Sequence, residues 1–290
     1  MQLLDESFVL ERGTVSFEKR DSRLQVLSDI QLSIARGEWL GIIGRNGSGK
    51  STLAKVIAGY CPLASGHITK GWIEGRRIGM IGQQPDAQIV GETIYEDVCF
   101  VMENEAKDPV EMPRLAQQAL KRVGLDLPSA HPVAELSGGQ KQLLAIAGWL
   151  VTDVGMLIFD EATAMLDPAS RQRVLQVAAE LNRSGTAIVW ITQWMEELAW
   201  ADRVIALDSG EIAFEGPTSS FFYGNRDNEQ GETASWLDDW ASTPCQLLGY
   251  EQPYAVQVAR SLQKRGIGLS PLPVTVEQLS AAVNNYGSSA

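Results

Sequence analysis

The run Gly44-Arg45-Asn46-Gly47-Ser48-Gly49-Lys50-Ser51-Thr52 carries glycines, a lysine and a hydroxyl in the spacing G-x-x-x-x-G-K-[ST]. Glycines so placed let successive backbone N–H groups turn inward around phosphate oxygens. Lys50 adds a full positive charge to the β- and γ-phosphates, and Ser51 offers its hydroxyl to Mg²⁺. An apolar run, Trp39 to Ile43, precedes the loop, and a helical pattern, Leu53 to Ala58, follows it. Strand, loop and helix together are the context in which such a loop binds ATP, because the helix N-terminus adds partial positive charge. Further along, Leu157-Ile158-Phe159 ends on Asp160-Glu161. At a strand end, Asp160 is suited to hold Mg²⁺ through water, and Glu161 to orient or deprotonate the attacking water. Adjacent acids alone would as readily be surface residues; a phosphate loop in the same chain favours chemistry. Between the two lies Leu136-Ser137-Gly138-Gly139-Gln140-Lys141-Gln142. Ser137 can cap the helix that follows, while Gly138 and Gly139 leave its N-terminus open to an anion.

These residues need elements that bring them together. The runs Trp39 to Ile43, Met156 to Asp160, which ends on an acid, and Ala187 to Thr192 suit strands buried on both faces, hence a parallel sheet covered by helices. Pro113 to Val123 puts Leu115, Ala119, Leu120 and Val123 on one helical face, and Pro168 to Leu181 reads as a helix with proline in its first turn. Thr14 to Phe17 and Ile30 to Ile34 alternate like half-exposed antiparallel strands. The expected fold is α/β: a P-loop ATPase core with an antiparallel β layer, a helical subdomain at about residues 84–150, and a small C-terminal domain. The boundaries fall at 1–216 for the ATPase domain, 217–244 for a linker rich in Ser, Gly, Asn, Asp and Glu, and 245–290 for the C-terminal domain. In the last, Tyr254 to Lys264 spaces Ala255, Val258, Ala259 and Leu262 helically, and a second short helix starts from Val274. A unit this small is marginal alone, so it should pack on the main domain or on a partner.

Composition narrows the function classes. The net charge of −12 over 290 residues argues against general affinity for nucleic acid or an anionic membrane surface. Cys61, Cys99 and Cys245 stand far apart without metal-ligand spacing and read as unpaired thiols. The amino terminus shows no signal-peptide pattern, and the longest apolar segment, Leu143 to Val151, is about half the length a spanning helix needs. Any membrane role must come through a partner.

The order of phosphate loop, Leu-Ser-Gly-Gly-Gln and an apolar strand ending Asp-Glu resembles the ABC ATPases, over at least residues 8–216. The resemblance implies that Ser137, Gly138, Gly139 and Gln140 of one subunit close over the γ-phosphate held by the phosphate loop of another. One loop and one signature imply half of a two-site dimer, with an identical or a related ATPase subunit. Gln83 falls at the family's glutamine-loop position, which implies contact with Mg²⁺ and the attacking water, and Leu166-Asp167-Pro168 at the D-loop that crosses the dimer interface.

Gln83-Gln84-Pro85-Asp86-Ala87-Gln88, then Asp97-Val98-Cys99-Phe100 and Glu103-Asn104, is similar to the ATPase subunits of energy-coupling factor (ECF) transporters. There the pattern is Gln-Asn-Pro-Asp-x-Gln, then Asp-Val-Ala-Phe ending Glu-Asn. The tail, Gln252-Pro253-Tyr254 to Ser261-Leu262-Gln263-Lys264-Arg265-Gly266, resembles their carboxy-terminal region. This implies a peripheral subunit on the cytoplasmic face of the cell membrane, powering uptake of a vitamin or trace metal. A transmembrane T component and a substrate-binding S component would be its membrane partners, the S component choosing the substrate. Glu92, Glu96, Asp97 and Glu103 either form a solvated acidic face or receive basic residues of the T component. The alternatives are a soluble ABC ATPase without a membrane partner and a slow-hydrolysing regulatory subunit. The single cassette, without coiled-coil or zinc insertions, speaks against the former.

Three positions depart from the family. In Thr192-Gln193-Trp194-Met195-Glu196-Glu197, Gln193 stands where the switch histidine is usual, and neither His67 nor His131 lies where it could replace it. Glutamine can donate to a γ-phosphate oxygen but cannot carry charge, so slower hydrolysis with ATP binding retained is expected. Lys19 stands near where an aromatic usually stacks on adenine, with Phe17 readable as core, and Leu143 replaces a usual arginine.

Overall fold

A computed structural model describes residues 7–19, 22–224 and 243–289. Of the segment expected as a linker, residues 225–242 lie outside the described residues. A hairpin of β1 (Phe8–Lys19) and β2 (Ser22–Ile34) leads to β3 (Trp39–Gly44), α1 (Lys50–Ile57), β4 (Ser65–Thr69) and β5 (Arg77–Ile81). Helices α2 (Ile94–Asn104), α3 (Met112–Val123) and α4 (Gly138–Leu150) precede β6 (Val154–Asp160). Then come α5 (Pro168–Arg183), β7 (Ala187–Ile191), β8 (Arg203–Asp208), β9 (Glu211–Pro217) and α6 (Thr218–Tyr223). The C-terminal segment holds α7 (Pro244–Leu247), α8 (Tyr254–Lys264) and α9 (Val276–Ser289).

The main sheet has the order β5-β6-β7-β3-β8-β9, parallel from β5 to β8 and closed by antiparallel β9. Its strands read as unbroken apolar runs because each face has its own core. Leu40, Ile42, Met156, Ile158, Val189 and Ile205 join α1 and the β layer on one side. Ile43, Leu157, Phe159, Ile188, Trp190 and Val204 face the other, against the helical subdomain and α5. The alternation is the period of two that a strand imposes. Leu143, where the resemblance expects arginine, is buried in this second core.

The β layer is a separate antiparallel sheet of order β2-β1-β4. Its hairpin strands run well beyond Thr14–Phe17 and Ile30–Ile34, with register shifts between Leu10 and Gly13, Gly13 and Val15, and Val15 and Ser16. Each bulge resets which face a side chain takes, so a simple alternation survives only in short stretches. This layer braces the phosphate loop. Ser28 N–H donates to Gly210 O at 2.9 Å, and Gly210 N–H to Ser48 O at 3.1 Å. Gly210 has φ 85°, and a Cβ there would lie 2.4 Å from Val26 O, so only glycine fits this turn between β8 and β9.

Helix starts follow their caps. Thr93 with Glu96 and Ser137 with Gln140 form capping boxes on α2 and α4, and Asp167 caps α5 ahead of Pro168. The C-terminal segment shares the main core: Cys245, Val256 and Val274 are buried in one cluster with Phe221 and Phe222 of α6. Gln252 Nε2 donates to Phe222 O at 2.7 Å, and Tyr223 hydroxyl donates to Pro273 O. Burial pushes the Cys245 thiol up to about 12, which keeps it an inert neutral packing group.

Candidate functional site

Neighbouring parallel strands β6, β7 and β3 end at one edge of the sheet and deliver Asp160, Ile191 and Gly44 there. Ligands of open α/β sheets bind outside such carboxyl ends. After β3 the chain turns through Gly47 and Gly49, with φ of 82° and 104°, into α1. A Cβ at Gly49 would lie 2.6 Å from Leu27 of the β layer, whereas one at Gly47 would meet nothing within 4 Å. The loop is thus held tightly at its base and open at its mouth.

Lys50 is buried, yet its ammonium points into the loop, donating to Gly44 O at 2.8 Å and Arg45 O at 3.2 Å. It lies 3.7 Å from Glu161 Oε1. Ser51 Oγ donates to Asp160 Oδ1 at 3.1 Å, and Thr52 follows within the first turn of α1. Burial pushes the Asp160 carboxyl above its usual range; the Ser51 hydrogen bond opposes this, and the neighbouring Glu161 charge reinforces it. A desolvated carboxylate beside a hydroxyl, at the mouth of an anion-binding loop, matches the oxygen ligands Mg²⁺ prefers. Among the described residues no group of three or more His, Cys, Asp or Glu could hold a metal, so phosphate and water would supply the remaining ligands.

Glu161 has φ 52°, in the left-handed region that is uncommon for a residue with a side chain. Its N–H donates to Ile191 O at 3.0 Å, fixing the turn to β7. Strain of this kind persists where the surroundings over-determine the backbone, typically at active sites. Gln193 Nε2 lies 3.0 Å from both Glu161 oxygens and 3.3 Å from Asn46 Oδ1. Asn46, Lys50, Ser51, Asp160, Glu161 and Gln193 therefore converge.

The other candidates lie on separate loops and helix starts. Gln83 is half-buried in the loop after β5. Gln142, which the sequence did not mark as functional, is fully buried and donates through Nε2 to Gly82 O at 2.9 Å and Ala162 O at 2.8 Å. It ties α4 to both the Gln83 loop and the segment after Glu161. Ser137 Oγ accepts from Gln140 N–H at 3.3 Å, and a Cβ on Gly139 would lie 2.5 Å from Ser170, whereas Gly138 is less crowded. Asp167 is exposed; the Ser170 hydroxyl and backbone N–H groups donate to its carboxylate and hold it below its usual range. Among the described residues, no hydrogen bond or ion pair joins the signature or Asp167 to the phosphate loop.

The structure corrects two side-chain expectations. Asp97 is buried, and its Oδ1 accepts from Val90 N–H at 2.8 Å and Gly91 N–H at 3.1 Å, so it shapes a turn and is not part of a solvated acidic face. Phe17 is 48% exposed and pairs with Leu24 in the β1–β2 hairpin, so it is a surface aromatic and not a core residue. Lys19 ends β1.

A family model described as ABC transporter matches residues 27–164. The energy-coupling factor transporter ATP-binding protein EcfA1 of Latilactobacillus sakei subsp. sakei (strain 23K) is 38% identical over 282 residues, 93% of each chain. The protein of that name from Bacillus subtilis (strain 168) is 35% identical over 272 residues, 90% of each chain. Among solved structures, cbiO1 from Clostridium perfringens, part of the ABC transporter complex cbiONQ, matches with TM-score 0.66 and 31% identity, covering 74% of this chain and 90% of that one. A dimer of the ATP-binding cassette MJ0796, bound to ADP and Pi after hydrolysis, matches with TM-score 0.64 and 25% identity over 73% of this chain and 98% of that one.

Proposed function

The chain belongs to the family of energy-coupling factor transporter ATP-binding proteins, within the ABC transporters, and we propose that it is the ATP-hydrolysing subunit of a membrane importer. The observation that carries this is the meeting of Lys50, the Ser51–Asp160 pair and the Glu161–Gln193 pair at the ends of three strands. The backbone of Gly44 to Thr52 and the Lys50 ammonium hold the β- and γ-phosphates. Ser51 and Asp160, with Gln83 on the adjoining loop, would hold Mg²⁺, which when bound would withdraw charge from the phosphate oxygens. Glu161 orients the attacking water and takes its proton, while Gln193 donates to Glu161 or to a γ-phosphate oxygen. The exposed ring of Phe17 offers adenine a stacking face.

Ser137, Gly138, Gly139, Gln140 and Asp167 act on the nucleotide of a second ATPase subunit, identical or related. This is supported by their separation from the chain's own phosphate loop and by the dimeric MJ0796 relative. No helix among the described residues is long and apolar enough to cross a membrane. Attachment to the cytoplasmic face therefore falls to partners, a T component and an S component that selects a vitamin or trace metal. A groove of about 300 Å³ between the Gln83 loop, α2 and α4, lined by Val90, Phe100, Val101 and Trp149 among others, suits an apolar helix end of the T component.

The test is the complex purified with its membrane partners. The wild type should hydrolyse ATP with Mg²⁺, and Glu161→Gln should bind ATP but lose turnover. Undiminished hydrolysis by that variant would remove Glu161 from the mechanism. A second reading, slow hydrolysis in a regulatory subunit, is favoured by the uncharged Gln193 at the switch position.

A further inference from the structure

Behind the site lies a carboxylate that the chemistry above does not use. Glu197 is 3% exposed, and its two oxygens accept three side-chain hydrogen bonds and face one guanidinium that makes no hydrogen bond through Nε. Thr163 Oγ1 donates to Oε1 at 2.8 Å; Trp190 Nε1 and Thr192 Oγ1 donate to Oε2 at 2.9 and 2.5 Å. Arg171 Nε makes an ion pair with Oε1 at 3.8 Å. The Arg171 guanidinium also covers the Trp194 ring, 3.9 Å from its centroid. Thr163, Thr192, Trp194 and Arg171 each lie within two residues, or one hydrogen bond, of a functional residue. Thr163 follows Glu161, Thr192 and Trp194 flank Gln193, and Arg171 N–H donates to Asp167 O at 2.9 Å. A buried carboxylate is tolerated only while its donors stay in place, so these segments cannot shift independently without leaving charge unpaired.

We propose that Glu197 is a positioning residue for hydrolysis. With Arg171 and Trp194 it clasps the helix behind Asp167 to the loop bearing Gln193. The segment that meets the second subunit and the segment that faces this subunit's own γ-phosphate then move as one body. The proposal rests on the ATP hydrolysis and dimer assigned above, and it makes closure of the partner over one site felt at the other.

The hydrogen-bond inventory selects the variants. Trp190 N–H can only donate, so in Glu197→Gln the amide oxygen must take the Oε2 position, keeping Trp190 and Thr192. The amide nitrogen then faces Thr163, whose hydroxyl can turn to accept, and Arg171, which can only donate. Glu197→Gln therefore spares the end of β7 and releases Arg171 alone. Arg171→Met cuts the same link from the other side and also lifts the guanidinium off the Trp194 ring, at a residue whose side chain is 21% exposed.

Steady-state ATPase of the complex with its membrane partners is measured for wild type, each single variant, the double variant and Glu161→Gln. Each single variant should lower kcat by about ten-fold, as a small misplacement of reacting groups does, with KM for ATP within about two-fold. The double variant should be no slower than the slower single, because both cut one link. Additive losses, or Arg171→Met with wild-type kcat beside an inactive Glu161→Gln, would overturn the clasp while leaving the ATPase assignment standing. A wild-type complex without hydrolysis would overturn the assignment itself.

Discussion

Replacing Gln193 by histidine exchanges a neutral donor for one that can carry charge, at a place where the amide lies 3.0 Å from both oxygens of Glu161. The side chain is exposed, so water screens the new charge. Unit charges about 4 Å apart interact by about 4 kcal/mol at an effective dielectric constant near 20, and by about 1 kcal/mol in bulk water. For an exposed donor the lower figure applies, and about 1 kcal/mol off the barrier is roughly a five-fold gain in turnover. Its pH dependence follows from the imidazole. An unperturbed histidine titrates near about 6.5, and a carboxylate or phosphate beside it raises that value. The gain is therefore complete below the unperturbed value and is lost as pH rises through the raised one. The assay is kcat of the complex at saturating ATP and Mg²⁺ between about pH 6 and about pH 8.5, divided at each pH by the wild-type value. Division cancels titrations the two proteins share. The ratio should fall from about five towards about one with rising pH. A ratio of one throughout, or a gain that ignores pH, refutes the idea that missing charge limits this site.

Other outcomes follow from single contacts. Asp97→Ala removes the acceptor from the Val90 and Gly91 N–H groups, and should lower unfolding stability by about 1–3 kcal/mol in a urea titration. An unchanged midpoint would contradict its structural role. Because burial raises the proton affinity of Asp160 and protonation removes a metal ligand, acid should weaken ATP binding more in the presence of Mg²⁺ than in its absence. Equal acid sensitivity with and without Mg²⁺ would argue against Asp160 as a metal ligand. Phe17→Ala should weaken ATP by about 1 kcal/mol, roughly five-fold, and leave inorganic tripolyphosphate binding unchanged. A matching loss for both ligands would refute a base contact.

What the sequence made legible was local. Met156 to Phe159 and Ala187 to Ile191 declare themselves because a strand buried on both faces must be apolar at every position. The phosphate loop does so because only glycine meets the backbone angles at Gly47 and Gly49 without strain. The Glu197 clasp was invisible, since its partners Thr163 and Arg171 reach it only through tertiary packing and a glutamate after a strand looks like surface. Asp97 misled for the same reason: an acid in a helix's first turn gives no sign that its carboxylate folds back on Val90 and Gly91. The β1–β2 hairpin runs longer than its alternating residues indicate because its bulges interrupt the alternation by which a strand is recognised.

The brace on the phosphate loop gives ATP a second office. Ser48 is held by Gly210, Gly210 by Ser28, and Gly49 lies against Leu27, so the loop inherits its shape from the β layer and the β8–β9 turn. A molecule whose β layer has frayed loses that shape and with it the ligand, which draws the population towards the intact form by mass action. Nucleotide thus certifies, copy by copy, that the amino-terminal sheet is closed. Amide exchange in β2, away from the adenine contact proposed for Phe17 of β1, should slow when ATP is added.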